Sequence, residues 1–320
     1  MNKQSAFNLQ DIKVIQLGLN TADMVGTLRL YGDLFGFVNG GGNAIWGELI
    51  KIQDLPPDSR SLMWWMCGGT SYFQLELFHH TSPAQRQKPA DWRPCDHGWV
   101  RFGVAVSDFD RVTRGLARWK IPVIGNSGTK GSRRLAFRDP FVGVIVEAVE
   151  STAKTCPYIL YGTNSVADLA AAKRLYEKAI GATLEPLEKL HTPADEALWG
   201  LTNATRDGFV VSFGDTSFEI VCYSNPKGRP RPDDRKISDQ GIMNLALGSR
   251  DANAIRGLIE RIRSDGYEPT VVIDGSGVVA TYFNGVGCEL EVVSTQEEAD
   301  APLGFVPSVP FLPETVVSDS

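Results

Sequence analysis

A chain of 320 residues, 42% hydrophobic and 22% charged, has the size of two ordinary globular domains and enough apolar content to give each a core. Its formal net charge of −6 provides no basic footprint for nucleic acid or anionic membrane, and no apolar run approaches a membrane span. Five scattered cysteines without C-x-x-C spacing, and an amino terminus with no apolar core of a signal peptide, predict reduced thiols in a cytoplasmic protein.

In chain order, the first predicted element is the strand "KVIQLGL", followed by a helix capped by Asp23 and stopped by Gly36. The run "YFQLELFHH" alternates as a strand, with Phe73, Leu75 and Leu77 on one face and Glu76 on the other. His79 and His80 read as bystanders, because on a continuing strand His80 lies about 13 Å from Glu76. A long polar connection, "HTSPAQRQKPADWRPCD", leads to the strand "WVRFGVAV" and a helix capped by Asp108. Loops of that length often cover a ligand. The first half ends on "GVIVEAVE", and "STAKTCP" is a linker.

The second half repeats the plan. "ADMVGTLRLYGDLFG" returns as "ADLAAAKRLYEKAIG", with its cap at Asp168 after the strand "YILYGT". "SFEIVCY" is the matching glutamate strand, and "SNPKGRPRPDDRKISDQ" reads as a solvated connection. "IMNLALG", a helix capped by Asp251, and "GCELEVV" complete the fourth unit. Seven residues before each cap stands one polar or ring-hydroxyl residue: Gln16, Arg101, Tyr161 or Asn244. Each unit closes on a mid-strand glutamate: Glu76, Glu147, Glu219 or Glu291. His191 in "KLHTPAD" reads as an ordinary loop residue. In the tail, Phe305 and Phe311 are candidates for docking on the body.

The expected fold is α+β: four βαβββ modules in two tandem pairs, each pair a half-open mixed β-barrel cup with helices outside. The expected boundaries are an N-terminal domain at 1–150, a linker at 151–157, a C-terminal domain at 158–296 and a tail at 297–320. On this plan one cup collects Gln16, Glu76, Arg101 and Glu147, and the other Tyr161, Glu219, Asn244 and Glu291.

These features resemble the vicinal oxygen chelate superfamily, which includes glyoxalase I, extradiol dioxygenases, methylmalonyl-CoA epimerase and bleomycin-resistance proteins. The resemblance rests on the strand-to-Asp spacing, on "LELF" around Glu76 and on "RDPFVGVIVEAV" around Glu147. It implies that a divalent metal, where used, is held by first-strand residues and last-strand glutamates. Gln16, Glu76 and Glu147 would be the ligands here, with Arg101 standing where metal-binding relatives generally carry histidine. A guanidinium cannot ligate a cation, so Arg101 reads instead as counter-ion to Glu76 and Glu147.

The function expected from these residues is acid/base proton transfer, as an isomerase or lyase, on an oxygenated hydrophobic or aromatic carbonyl compound. Glu76 or Glu147 would be the base, Arg101 the electrophilic partner and Gln16 the orienting group. Tyr161, Glu219, Asn244 and Glu291 would contact substrate in the other cup, with Trp99 and His97 as further candidates. The alternatives are a metal-dependent glyoxalase- or ring-cleaving-dioxygenase-like enzyme, and a drug-resistance-type protein that sequesters its ligand unchanged. An internal salt bridge that merely satisfies buried groups is the structural reading of Arg101, and the one to prefer for any cup filled with side chains. The partner expected is a small molecule, and homodimerisation is compatible with the pattern.

Overall fold

A computed structural model describes residues 8–285 and 288–309. Unit one runs β1 (Lys13–Asn20), α1 (Met24–Phe35), β2 (Val38–Trp46), β3 (Arg60–Cys67) and β4 (Gln74–Ser82). Unit two runs β5 (Gly98–Val106), α2 (Phe109–Trp119), β6 (Val123–Ser127), β7 (Arg134–Arg138) and β8 (Ile145–Glu150). Unit three has β9 (Tyr158–Ser165), α3 (Leu169–Lys173) continuing as a π-helical turn over Arg174–Ile180, then β10 (Thr205–Phe213) and β11 (Thr216–Asn225). Unit four has β12 (Gly241–Ser249), α4 (Ala252–Ser264), β13 (Ile273–Gly275), β14 (Val278–Gly285) and β15 (Cys288–Thr295). None of the described helices is long and apolar enough to cross a membrane.

All four aspartates cap their helices. Asp23, Asp108, Asp168 and Asp251 accept hydrogen bonds from the backbone N–H groups of Gly26, Arg111, Ala171 and Asn253, at 2.8–3.0 Å. Gly36 and Gly181 close their helices in the left-handed region, at φ 87° and 88°.

The units pair across the two halves of the chain instead of within them. One sheet has the order β13-β14-β15-β12-β1-β4-β3-β2 and joins unit four to unit one; the other, β10-β11-β9-β5-β8-β7-β6, joins unit three to unit two. Connection length explains this. The short linker 151–157 keeps β8 and β9 in the same sheet, on either side of β5. The longer connections at 83–97 and 226–240 carry the chain from one sheet to the other.

Each sheet is therefore centred on an antiparallel seam between two first strands, β1 with β12 and β5 with β9. On every first strand the register skips one residue immediately before the polar position: Ile15 before Gln16, Val100 before Arg101, Leu160 before Tyr161 and Met243 before Asn244. Such bulges shift the in–out alternation and re-aim the side chain that follows. The opposite faces share one core with the helices, in which Leu17, Leu75 and Leu77 join Tyr31, Leu34, Phe102 and Val146.

The seams also demand small residues opposite the large polar ones. A Cβ added to Gly18 would lie 2.1 Å from Asn244 Oδ1, and one on Gly103 would lie 2.1 Å from the Tyr161 ring. Gly18→Ala and Gly103→Ala are each expected to cost about 1–3 kcal/mol in urea unfolding. Gly32→Ala, where the added carbon meets only Phe37 O at 3.5 Å, is the control expected to leave stability unchanged or higher.

Candidate active site

The concave face of the β1/β12 sheet brings together Gln16, Glu76, Asn244 and Glu291. Gln16 Nε2 donates to Glu76 Oε2, and the same amide is hydrogen-bonded to Glu291. Asn244 Nδ2 donates to Glu291 Oε2 at 2.8 Å. Each glutamate is also held by an aromatic donor from the next strand. Trp65, opposite Glu76, donates its indole N–H to Glu76 Oε1 at 3.2 Å; Tyr282, opposite Glu291, is hydrogen-bonded to that carboxylate.

The two carboxylates are only 6% and 8% exposed, and among the described residues neither forms an ion pair with a cationic side chain. Burial, and then the Glu291 charge, push Glu76 well above the usual carboxylate range. Burial raises Glu291 to about 7. Two buried carboxyls displaced in this way hold protons to a higher pH than ordinary carboxylates.

Around them lies an apolar wall of Ile50, Leu55, Phe78, Ile237, Met243 and Tyr282. A cavity of about 380 Å³, lined in part by Gln53, Leu55, Ile237, Asn284 and Glu289, abuts this wall. Glu291 is two residues beyond Glu289 on the same face of β15, about 7 Å along the strand. Phe305 packs on Tyr72 at 4.9 Å between ring centroids, within an apolar cluster that includes Ile15 and Ala246 of the seam, while Phe311 lies outside the described residues.

The β5/β9 cup is filled. Where unit three would place its second strand, one bridge (Glu185 with Val210) and two 3₁₀ turns, Leu187–Lys189 and Pro193–Trp199, occupy the chain. They carry His191, Glu196 and Trp199 inside. Arg101 donates to Glu219 Oε2 at 2.7 Å and to Tyr223 OH at 3.0 Å, with its guanidinium 3.6 Å from the centre of the Trp199 ring. Tyr161 OH and Arg134 Nε each donate to Glu147 at 2.5 Å. His191 Nδ1 meets Glu219 Oε1 at 2.8 Å, and Arg206 pairs with Glu196.

Arg101, Arg134 and Arg206 thus face Glu147, Glu196 and Glu219 in a closed network. Burial works against the charge of Glu219, but His191, Arg101 and Arg206 outweigh it and hold its pKa well below the usual range. Burial and the Glu147 charge raise the Tyr161 phenol. A cup of this kind is internal structure.

The pairing of units redistributes the predicted site. Gln16 and Glu76 share a cup with Asn244 and Glu291, not with Arg101 and Glu147, so the ligand set Gln16, Glu76 and Glu147 is broken up. Arg101 is counter-ion to Glu219 and not to Glu76. Tyr161 is committed to Glu147 and does not stand beside Glu291 as an acid. Trp99, expected as a substrate contact in a cup, lies on the face opposite Arg101: the extra residue at Val100 turns its indole edge-on to Phe218, with its N–H donated to Glu289 O. His97 lies in the cleft between the two long connections, outside both cups. His80 is buried against Gln53 and lowered by burial to about 4. His191 was legible only as a loop residue, yet it sits at the centre of the filled cup; the one signal was its place in the segment where a strand was due.

The sequence matches no protein-family model and no curated protein. Solved structures do match. Glyoxalase I from Zea mays superposes with a TM-score of 0.61 at 15% identity, over 92% of this chain and 95% of that one. A Bacillus subtilis subsp. subtilis str. 168 protein with a proposed dioxygenase activity superposes with a TM-score of 0.59 at 12% identity, over 90% and 89%. The chain has the vicinal oxygen chelate fold. Identity this low establishes the fold and leaves the chemistry to the site.

The two cups respond oppositely to loss of charge. Removing Arg101 (Arg101→Ala) takes from buried Glu219 its 2.7 Å guanidinium partner, leaving His191 and the more distant Arg206, and is expected to cost about 3–5 kcal/mol. Glu291→Gln is expected to stabilise. The folded-state pKa of Glu291 is raised, so its contribution is fully present below the unfolded value near 4.5 and is lost as pH rises towards about 7. The gain of the Gln variant over wild type should therefore be absent at pH 4 and reach on the order of 3 kcal/mol at pH 8, at about 1.4 kcal/mol per unit. Thermal unfolding across that range checks it; equal gains at both pH values would contradict a protonated Glu291.

Proposed function

We propose that the β1/β12 cup is the active site of a small-molecule enzyme, an isomerase or lyase that moves a proton on an oxygenated, largely apolar carbonyl compound. The observation that carries this reading is the buried Glu76–Glu291 pair without a counter-ion. A pair holding one shared proton contains a base and an acid at once. The ionised member takes the proton from the carbon next to the substrate carbonyl. The protonated member gives its proton to the developing enolate oxygen, which on a substrate with a hydroxyl on that same carbon forms an enediol. The first carboxyl then returns its proton to the former carbonyl carbon while the second takes the hydroxyl proton, so the carbonyl moves to the neighbouring carbon with no net change in protons. Gln16 and Asn244 are placed to orient the carbonyl, and the wall of Phe78, Met243 and Tyr282 favours an apolar, aromatic body.

A second reading has its own support. Gln16, Glu76, Asn244 and Glu291 supply only oxygen donors, their negative charge is uncompensated, and Asn244 Oδ1 is buried without a partner. That set suits a hard divalent cation such as Mg²⁺ or Mn²⁺, although the described residues contain no cluster of three His, Cys, Asp or Glu. Those four residues would hold it, and when bound it would polarise the substrate carbonyl. The relatives named glyoxalase and dioxygenase are consistent with either reading.

Solvent-deuterium exchange into a panel of aromatic and polyketide-like ketones, followed by mass spectrometry, tests both. Exchange should survive chelator and fall at least 100-fold in Glu76→Gln and in Glu291→Gln. Loss on chelation that Mg²⁺ or Mn²⁺ restores would favour the metal reading. Activity retained by both variants would remove this cup from the chemistry.

A further inference from the structure

A second concavity lies away from both cups. The connections 83–97 and 226–240 run side by side and are stitched together: the Lys88 N–H donates to Gln240 Oε1 at 2.7 Å, the Gln240 N–H to Arg86 O at 2.9 Å, and the His97 N–H to Arg229 O at 2.9 Å. Between them is a cleft of about 360 Å³, of the size that takes a small organic ligand. Trp92 and Trp99 form part of its wall, and Lys88, Arg231 and Arg235 line it.

The charges of this cleft do not balance. Its aspartates are taken: Asp96 by Arg93 and Arg229, Asp91 by Arg229, and Asp239 by Arg86. Arg231 and Arg235 both pair with Glu289. Lys88 has no acidic partner among the described residues; its ammonium rests 4.5 Å from the centre of the Trp92 ring, whose other close cation is Arg138 at 4.9 Å. Burial, reinforced by Arg235, Arg231 and Arg138 and opposed by Asp96, lowers Lys88 to about 7. An unmatched cation enclosed by arginines and tryptophans is stabilised by any anion that enters.

We propose that this cleft is a second ligand site, which binds a small organic anion with its carboxylate or phosphate head on Lys88, flanked by Arg231 and Arg235, and its apolar body against Trp92 and Trp99. The site is independent of the chemistry of the β1/β12 cup. One residue is common to the cleft and to the cavity against the apolar wall: Arg235 lines both, and its partner Glu289 lines the latter.

Calorimetric titration of the full-length protein with phenyl phosphate, benzoate and inorganic phosphate tests the site. One equivalent of phenyl phosphate or benzoate should saturate it, at least tenfold more weakly in Lys88→Met and unchanged in Glu76→Gln. Tighter phenyl phosphate assigns a phosphoryl head, and tighter benzoate a carboxylate; either order supports the site. Failure of all three to saturate, or equal affinity in Lys88→Met, overturns it. Acetic anhydride labelling of Lys88 in the wild-type protein gives a readout that does not depend on a variant's folding. Bound phenyl phosphate should slow that labelling severalfold, and undiminished labelling at saturating ligand would also overturn the proposal.

Discussion

Every polar group of consequence in the two cups is placed by two antiparallel seams, β1 against β12 and β5 against β9. Each seam joins first strands of units from opposite halves of the chain, and each strand carries one inserted residue just before its polar position. The inserted residue converts a regular strand into one that presents that polar side chain to the concave face. Glycines at 18 and 103 then leave room for Asn244 and Tyr161 to cross the seam. Four polar side chains and four glutamates are thereby sorted into two groups of four by strand pairing alone.

The two groups have opposite fates, and charge compensation is the difference. In the β5/β9 cup, arginines at 101, 134 and 206 neutralise the glutamates, and Trp199 and His191 fill the volume. Buried ion pairs of this kind cost much desolvation and gain little net stability, but breaking one of them is expensive. In the β1/β12 cup the glutamates have, among the described residues, amide, indole and phenol donors, which hydrogen-bond to charge without cancelling it. A carboxylate pair left in that condition holds a proton or waits for a cation. A duplicated architecture thus holds uncompensated carboxyls in one cup and a closed ion-pair network in the other.

The long connections do more than cross between sheets. Clasped to one another, they hold a lysine among arginines and tryptophans. The ion pair of Arg235 with Glu289 then separates that cleft from the cavity beside the carboxylate pair.

Much of this was legible in the residues. The fourfold repeat, the aspartate caps, the glutamate strands and the α+β fold all follow from local rules of spacing, alternation and capping, which act over a few residues and are written directly in the chain. The spacing also marks the polar first-strand positions and the glutamates, which the seams place on the concave faces. Which of them meet was not legible, because pairing between strands far apart in sequence depends on connection length and on seams no local pattern announces. The same reason hid the bulge that turns Trp99 inward, and the plug that carries His191 into the filled cup. Sequence by itself determined the units and their polar residues; only the tertiary structure decided that Glu76 faces Glu291 without a counter-ion while Arg101 is spent on Glu219, since charge compensation is a property of neighbours in space.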